Sequence, residues 1–214
     1  MTPYKTIVCD PPYSYRNKTT GGSMKSGSKD KYPTMPLEDI MGMPVHRIAD
    51  PKGSILFLWI TTPLLPDGME VMKSWGFGHY ITSLYWDKQN YGLGYWWRGR
   101  MEQCLVGMRG HVKAYRCQKV NLIQSKAREH SRKPDEFWEL VEPHAEEPRL
   151  ELFCRGKPRD GWHGWGIDCA RGVSIPELDD YMRWLREAPY HPYPPAPPTE
   201  SQYKNYHESP EEMA

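Results

Sequence analysis

Six apolar runs, at residues 5–9, 54–60, 80–86, 103–108, 120–124 and 150–154, stand out from an otherwise polar chain. Their apolar character is continuous rather than alternating, the pattern of strands covered on both faces. Helical patterns fall between them. One covers 36–41 behind Thr34, a capping type; another covers 63–75, with Leu65, Met69, Val71 and Met72 near helical spacing. A third, 135–141, is opened by Pro134 at its first turn, with Asp135 and Glu136 beside the positive helix end. A last one, 175–187, follows Ser174. Strands alternating with helices predict a doubly wound α/β fold, a mostly parallel central sheet flanked by helices. Beyond residue 189 the run His-Pro-Tyr-Pro-Pro-Ala-Pro-Pro favours extended polyproline geometry. The organisation expected is one domain at 1–189 and a proline-rich acidic tail at 190–214.

The length of 214 residues suits one sizeable α/β domain with a tail. No apolar stretch approaches the ~20 residues of a membrane span, and no secretory signal precedes the first strand, so a cytoplasmic location is expected. The five cysteines show no C-x-x-C spacing. That argues against a bound metal or a redox pair and for reduced, partly buried thiols. The net charge of +1 hides two basic segments. Residues 109–133 carry eight Lys or Arg against Glu129, and residues 16–31 carry five against Asp30. Aromatics interleave with arginine across 91–100, which strengthens the reading of a polyanion site.

Ligands of open α/β sheets bind beyond the carboxyl ends of the strands. Three such loops carry chemistry: Asp10 to Tyr13, Asp87 to Arg98, and Arg155 to Asp168, and parallel strands would bring them to one crevice. In the first, Asp10 directly follows a buried strand, and Pro11 and Pro12 freeze the backbone and remove two N–H donors. Carboxylate and carbonyl can then accept both hydrogens of an aromatic amine while Tyr13 stacks on its ring. Two acceptors favour a pyramidal nitrogen and localise a lone pair otherwise delocalised into the ring, which helps the transition state. A sulfonium methyl donor in line would complete a direct displacement. A base treated this way must leave its helix or arrive unpaired.

The chain resembles the adenine methyltransferases related to the catalytic subunit of the eukaryotic mRNA adenine methyltransferase, a family with many bacterial and phage members. The likeness rests on Asp10–Tyr13, Tyr32-Pro33-Thr34-Met35, Ile55–Trp59, Tyr85-Trp86-Asp87-Lys88, Glu102–Gly107, His130–Glu136 and Leu150–Arg155, in the family's order. It implies a Rossmann-like fold with permuted motif order and S-adenosyl-L-methionine as cofactor. It implies a catalytic Asp10-Pro11-Pro12-Tyr13, with Asp10 serving amine and cofactor alike. Tyr32 and Glu102 would lie near the base, Lys133 would bridge toward cofactor or substrate, and Arg155 would reach the cofactor ribose. Gly166, Ile167 and Asp168 would hold the adenosine end, although the family usually has asparagine where Ile167 stands. Lys88 and Trp96 in the second loop, and Lys113 and Arg116 in the basic segment, are the remaining candidates for nucleic-acid contact. The resemblance to stand-alone prokaryotic members favours DNA over RNA. An RNA methyltransferase and a non-catalytic nucleic-acid-binding subunit remain alternatives, as do a homodimer and a partner subunit.

Overall fold

A computed structural model describes residues 2–13, 34–90, 97–115, 117–127, 132–179 and 181. The expected tail, and Tyr32, Trp96 and Arg116, lie outside the described residues. The strands are β1 (Thr6–Cys9), β2 (Gly53–Thr61), β3 (His79–Asp87), β4 (Met101–Gly110), β5 (Leu122–Gln124), β6 (Arg149–Leu152) and β7 (His163–Trp165). The helices are α1 (Leu37–Gly42), α2 (Val45–Ile48), α3 (Leu65–Ser74) and α4 (Asp135–Val141). The strands form one sheet in the order β5-β3-β4-β2-β1-β6-β7. β1 runs parallel to β2 and β6, β6 to β7, and β3 to β5; only β4 runs the other way, between β2 and β3. The expected mostly parallel α/β sheet is what forms.

Alternate side chains of the strands feed two cores. One gathers Ile7, Leu56, Leu58, Leu105, Leu150 and Leu152 with Ile40, Val45, Val71 and Met72 of α1, α2 and α3. The other gathers Val8, Phe57, Trp59, Cys104 and Val106 with Phe137, Trp138 and Val141 of α4. Covering on both faces explains why the central strands β1, β2 and β4 read as apolar runs rather than alternations.

Several boundaries move for local reasons. α1 begins at Leu37, because Met35 is bridged to Tyr13 and Pro36 is extended at ψ 150; no side chain caps the helix, so Thr34 does not act as its cap. Pro134 occupies the position before α4 rather than its first turn. The expected helix at 63–75 splits into a 3₁₀ turn, Thr62–Leu64, and α3. β6 ends two residues early, at Leu152, since Phe153 adopts φ 59, outside strand geometry. The short β7 lies in a glycine- and tryptophan-rich stretch expected to be loop. Residues 176–179 and 181 are helical as expected, but the Ser174 hydroxyl donates to the Asp179 carboxylate instead of capping the backbone.

β1 marks the switch point. From it the chain proceeds to β2 on one side, while β6 takes up the other side. The crevice beyond such a strand is where this architecture binds ligands, and Asp10 is the first residue past β1. Since β3 and β6 run parallel to β1, the three loops singled out from the sequence leave the same sheet edge. The reversed β4 contributes its start to that edge, for Glu102 pairs with Thr61 and Trp86 at the ends of β2 and β3.

Candidate active site

Four charged side chains of alternating sign form a row at the carboxyl edge. Lys133 Nζ lies 3.0 Å from Asp10 Oδ2 and 3.2 Å from Glu102 Oε2. Lys88 Nζ lies 2.7 Å from Glu102 Oε1. The residues come from the loop after β1, the end of β3, the start of β4 and the approach to α4, so the sheet and the segment leading into α4 together assemble the row. Lys133 pairs with Asp10 and Glu102, not with the acids of the helix it precedes. The side chains are shielded unequally, Lys133 being 14% exposed, Glu102 17% and Asp10 34%. The row thus opens to solvent at Asp10.

Two tryptophans floor the row. Lys133 Nζ sits 5.0 Å from the Trp59 ring and Lys88 Nζ 5.8 Å from Trp86, and the two indoles meet edge to face at 6.3 Å. Each cation–π contact contributes about 1 kcal/mol, more where water is excluded. Neither tryptophan was singled out as a site residue from sequence. Their signal is an indole near the carboxyl end of a strand, where a flat ring can carry a charge above it.

Burial pushes the Asp10 carboxyl up. Lys133 and, more weakly, Arg155 pull it back, while Glu102 adds to the rise, and it stays above the ordinary aspartate value. Burial would also raise Glu102, but Lys133 and Lys88 outweigh it and hold that carboxyl below its usual range. Burial disfavours the Lys133 ammonium too, yet the flanking carboxylates overcome this and lift it well above an ordinary lysine. The surroundings therefore favour the anion at Glu102 and disfavour it at Asp10. Beside it Arg100 grips Asp87, with Nη2 to Oδ2 at 2.6 Å and Nε on Oδ1, and this bond holds the Asp87 carboxyl down to about 2.

The backbone after Asp10 is rigid but partly engaged. The Tyr13 N–H donates to Pro11 O at 2.9 Å and the Met35 N–H donates to Pro12 O at 2.7 Å. The proline carbonyls expected to be free acceptors have each committed one lone pair, leaving the second for a ligand. Tyr13 is half-buried against the larger core.

The loop after β6 is laced to the turn after β7. Cys154 N–H donates to Trp165 O at 3.0 Å, Gly156 N–H to Asp168 O at 3.0 Å, and Ala170 N–H to Gly156 O at 2.8 Å. Arg155, Gly166, Ile167 and Asp168 are thereby gathered at the same sheet edge as Asp10, Arg155 near enough to act on its carboxyl, with Arg155, Ile167 and Asp168 exposed. Gly166 is required by close approach, since a Cβ there would lie 2.6 Å from Cys154 O and 3.0 Å from Cys154 N. Gly166→Ala is expected to cost about 1–3 kcal/mol by overpacking against backbone and to weaken cofactor binding. Gly78→Ala, with open space at its Cβ, should stay within about 0.5 kcal/mol of the parent. Thermal unfolding and titration calorimetry compare the two; equal melting temperatures would show that the 153–155 segment yields freely.

Lys113 falls elsewhere. It is exposed, and its neighbours Val112 and Tyr115 line a cavity with Lys5, Thr6, Gly53 and Glu146 at the amino ends of β1 and β2, the edge opposite Asp10. The basic segment starts there because the reversed β4 ends there. On the Asp10 edge the exposed side chains include Trp97 at 87%, Arg98 and Lys126. The backbone of 125–127 runs along Asp87 and Lys88, with Ala127 N–H donating to Lys88 O at 3.2 Å.

Six parallel strands and one reversed strand, with an acid-proline-proline-aromatic loop at the switch point, make a Rossmann-like methyltransferase whose methyl donor is S-adenosyl-L-methionine. The chain belongs to the MT-A70 family, which matches residues 4–168 and whose reaction is methylation of the adenine N6 amine. It is 28% identical over 198 residues to the Type II methyltransferase M.MunI of Mycoplasma sp, covering 83% of this chain and 84% of that protein. With a putative N(6)-adenosine-methyltransferase MT-A70-like protein of Medicago truncatula it shares 28% over 197 residues, 87% of this chain and 29% of the relative. With the N(6)-adenosine-methyltransferase catalytic subunit METTL3 of Homo sapiens it shares 24% over 172 residues, 76% of this chain and 27% of the relative. The chain thus spans most of M.MunI but under a third of these two eukaryotic relatives. Among the described residues no helix is long and apolar enough to cross a membrane.

Proposed function

We propose that this chain methylates the N6 amine of adenine in DNA. The observation that carries the reading is the Asp10 carboxylate, fixed beyond β1, opening to solvent and paired with Lys133 at 3.0 Å. Asp10 accepts one hydrogen of the amine, and the second lone pair of a proline carbonyl accepts the other. Tyr13 bounds the base, and the nitrogen lone pair is left pointing toward the cofactor side of the edge. The donor set on that side fits S-adenosyl-L-methionine: Asp168 offers a carboxylate to ribose hydroxyls, Arg155 donates, and Asp10 balances cationic charge. Bound there, the cofactor supplies a methyl group on positive sulfur, open to direct displacement. As nitrogen acquires positive charge, the nearby carboxylate stabilises it, a larger effect in a partly dry site than in water. Asp10 can then take up the departing proton.

The preference for DNA rests on the match to the Type II methyltransferase over most of both lengths; the eukaryotic relatives are named for adenosine. Trp97, Arg98 and Lys126 border the edge as stacking and phosphate contacts for a base presented unpaired or flipped. Labelled S-adenosyl-L-methionine offered with double-stranded DNA, single-stranded DNA and RNA in parallel, followed by nucleoside analysis, tests the proposal. Methyladenine in DNA is expected. Label in RNA alone would move the substrate to RNA, and cofactor binding without transfer to any polymer would point to a missing partner. Absence of both binding and transfer would leave the non-catalytic subunit.

A further inference from the structure

Lys88 was a candidate for holding nucleic acid, yet its ammonium is already spent. It makes the shortest contact of the charged row, 2.7 Å to Glu102 Oε1, over the Trp86 ring. Its backbone is pinned on both sides, the N–H donating to Arg100 O at 3.1 Å and the carbonyl accepting from Ala127. Glu102 divides its two oxygens between Lys88 and Lys133, and Lys133 divides its ammonium between Glu102 and Asp10. We propose that Lys88 is a positioning residue for Asp10, acting through Glu102 and Lys133 rather than by touching the nucleic acid.

The physical reason is competition for one ammonium. With Lys88 in place, half of the Glu102 carboxylate is satisfied elsewhere, and Lys133 is free to serve Asp10. Without Lys88, Glu102 draws Lys133 toward itself, and two carboxylates share one cation. Both effects make Asp10 harder to ionise. Removing the charge of Glu102 does the opposite, since Lys133 then answers to Asp10 alone. Arg155 beyond β6 also acts on Asp10, and Asp10 in turn raises Glu151 on β6 and the buried thiols of Cys9 and Cys104. Arg155, Glu151 and Cys9 lie outside the Lys88–Glu102–Lys133 line and form a constant background to the comparison; Cys104 also feels Lys133, but burial pushes its thiol far up and keeps it out of the range where Asp10 titrates.

The inference rests on Asp10 being the acceptor in methyl transfer, so the test has a readout that does not need turnover. The full chain is labelled with ¹³C at aspartate carboxyls, and Asp10, assigned by loss of its signal in Asp10→Asn, is titrated by NMR in the parent, Lys88→Met, Lys88→Arg and Glu102→Gln. Lys88→Met is expected to raise the Asp10 midpoint by about half to one pH unit, Lys88→Arg to leave it in place, and Glu102→Gln to lower it. The acid limb of methyl transfer should move with the midpoint, with KM for DNA unchanged. Shifts of the same sign in Lys88→Met and Glu102→Gln, or none in either, would overturn the proposal, as would a raised KM for DNA and a flattened salt dependence with the Asp10 midpoint unmoved in Lys88→Met. Opposite shifts in a protein that transfers no methyl group would support the linkage while sinking the functional reading. Opposite signs also separate positioning from general damage, and Lys88→Gln, which likewise removes the charge, takes the place of Lys88→Met if that variant does not fold.

Discussion

Asp10→Asn is expected to lose about a thousandfold or more in methyl transfer while remaining at least as stable as the parent at pH 7. The activity loss follows from replacing an anionic acceptor with a neutral amide beside a nitrogen that becomes cationic. The stability expectation follows from the sign of the carboxyl's shift. Burial raises Asp10 above its ordinary value in spite of Lys133, so folding disfavours the ionised form. The associated stability is fully present below the unfolded aspartate value and is lost as pH rises through the higher folded one. The asparagine variant never carries the charge and so escapes that loss. Lys133 does not become an orphan in the variant, because Glu102 remains 3.2 Å away. Melting temperatures at pH 7, measured beside transfer of labelled methyl, check both halves. Residual turnover near the parent level would remove Asp10 from the chemistry, and a markedly lower melting temperature would show that its charge supports the fold.

Lys133→Met should do the reverse and damage both activity and fold. The methionine fills much of the lysine volume over Trp59 but leaves Asp10 facing Glu102 with their shared cation gone. Breaking a buried ion pair costs about 3–5 kcal/mol; Asp10 is open to water on one side, and Glu102 keeps Lys88, so about 2–3 kcal/mol is expected. The deficit should depend on pH. In the variant Asp10 ionises at a still higher pH, so the penalty is largest at neutral pH and shrinks as acid protonates the carboxyl. In the parent, the stability from the raised Lys133 ammonium is present throughout the range below the ordinary lysine value and is lost only in strong alkali. Urea unfolding of both proteins at pH 7 and near pH 5 makes the comparison. A deficit constant across that range would mean that Lys133 contributes by packing alone.

The central strands β1 and β2 were legible because each is buried on both faces and announces itself as an apolar run. The loop after β1 was legible because only a sharp change of chemistry, Asp10-Pro11-Pro12 after Val8-Cys9, interrupts such a run. β7 was not, since three residues containing a glycine carry no period. The direction of β4 was also beyond the sequence, as nothing in Gln103 to Met108 says which way the strand points. That direction decides two site questions at once: it carries Glu102 to the Asp10 edge and takes Lys113 to the other. Charge density along the chain suggested a polyanion surface at 109–133, but the density is one-dimensional and the segment begins on the far side of the sheet. The role of Trp59 and Trp86 as a floor needs the third dimension entirely, since it depends on lysines from other segments arriving above them.

The position of β1 has a consequence for synthesis. Thr6 is in register with Ile55 on one side and Arg149 on the other, so the strand made before the other six lies inside the sheet and acquires its second neighbour from about 140 residues further along the chain. Contacts so distant along the chain close slowly. A ribosome must therefore release almost the whole domain before Asp10 has its surroundings, and a chain stalled ahead of residue 149 exposes one bare edge of β1, an apolar strand ready to pair with a neighbour of its own kind.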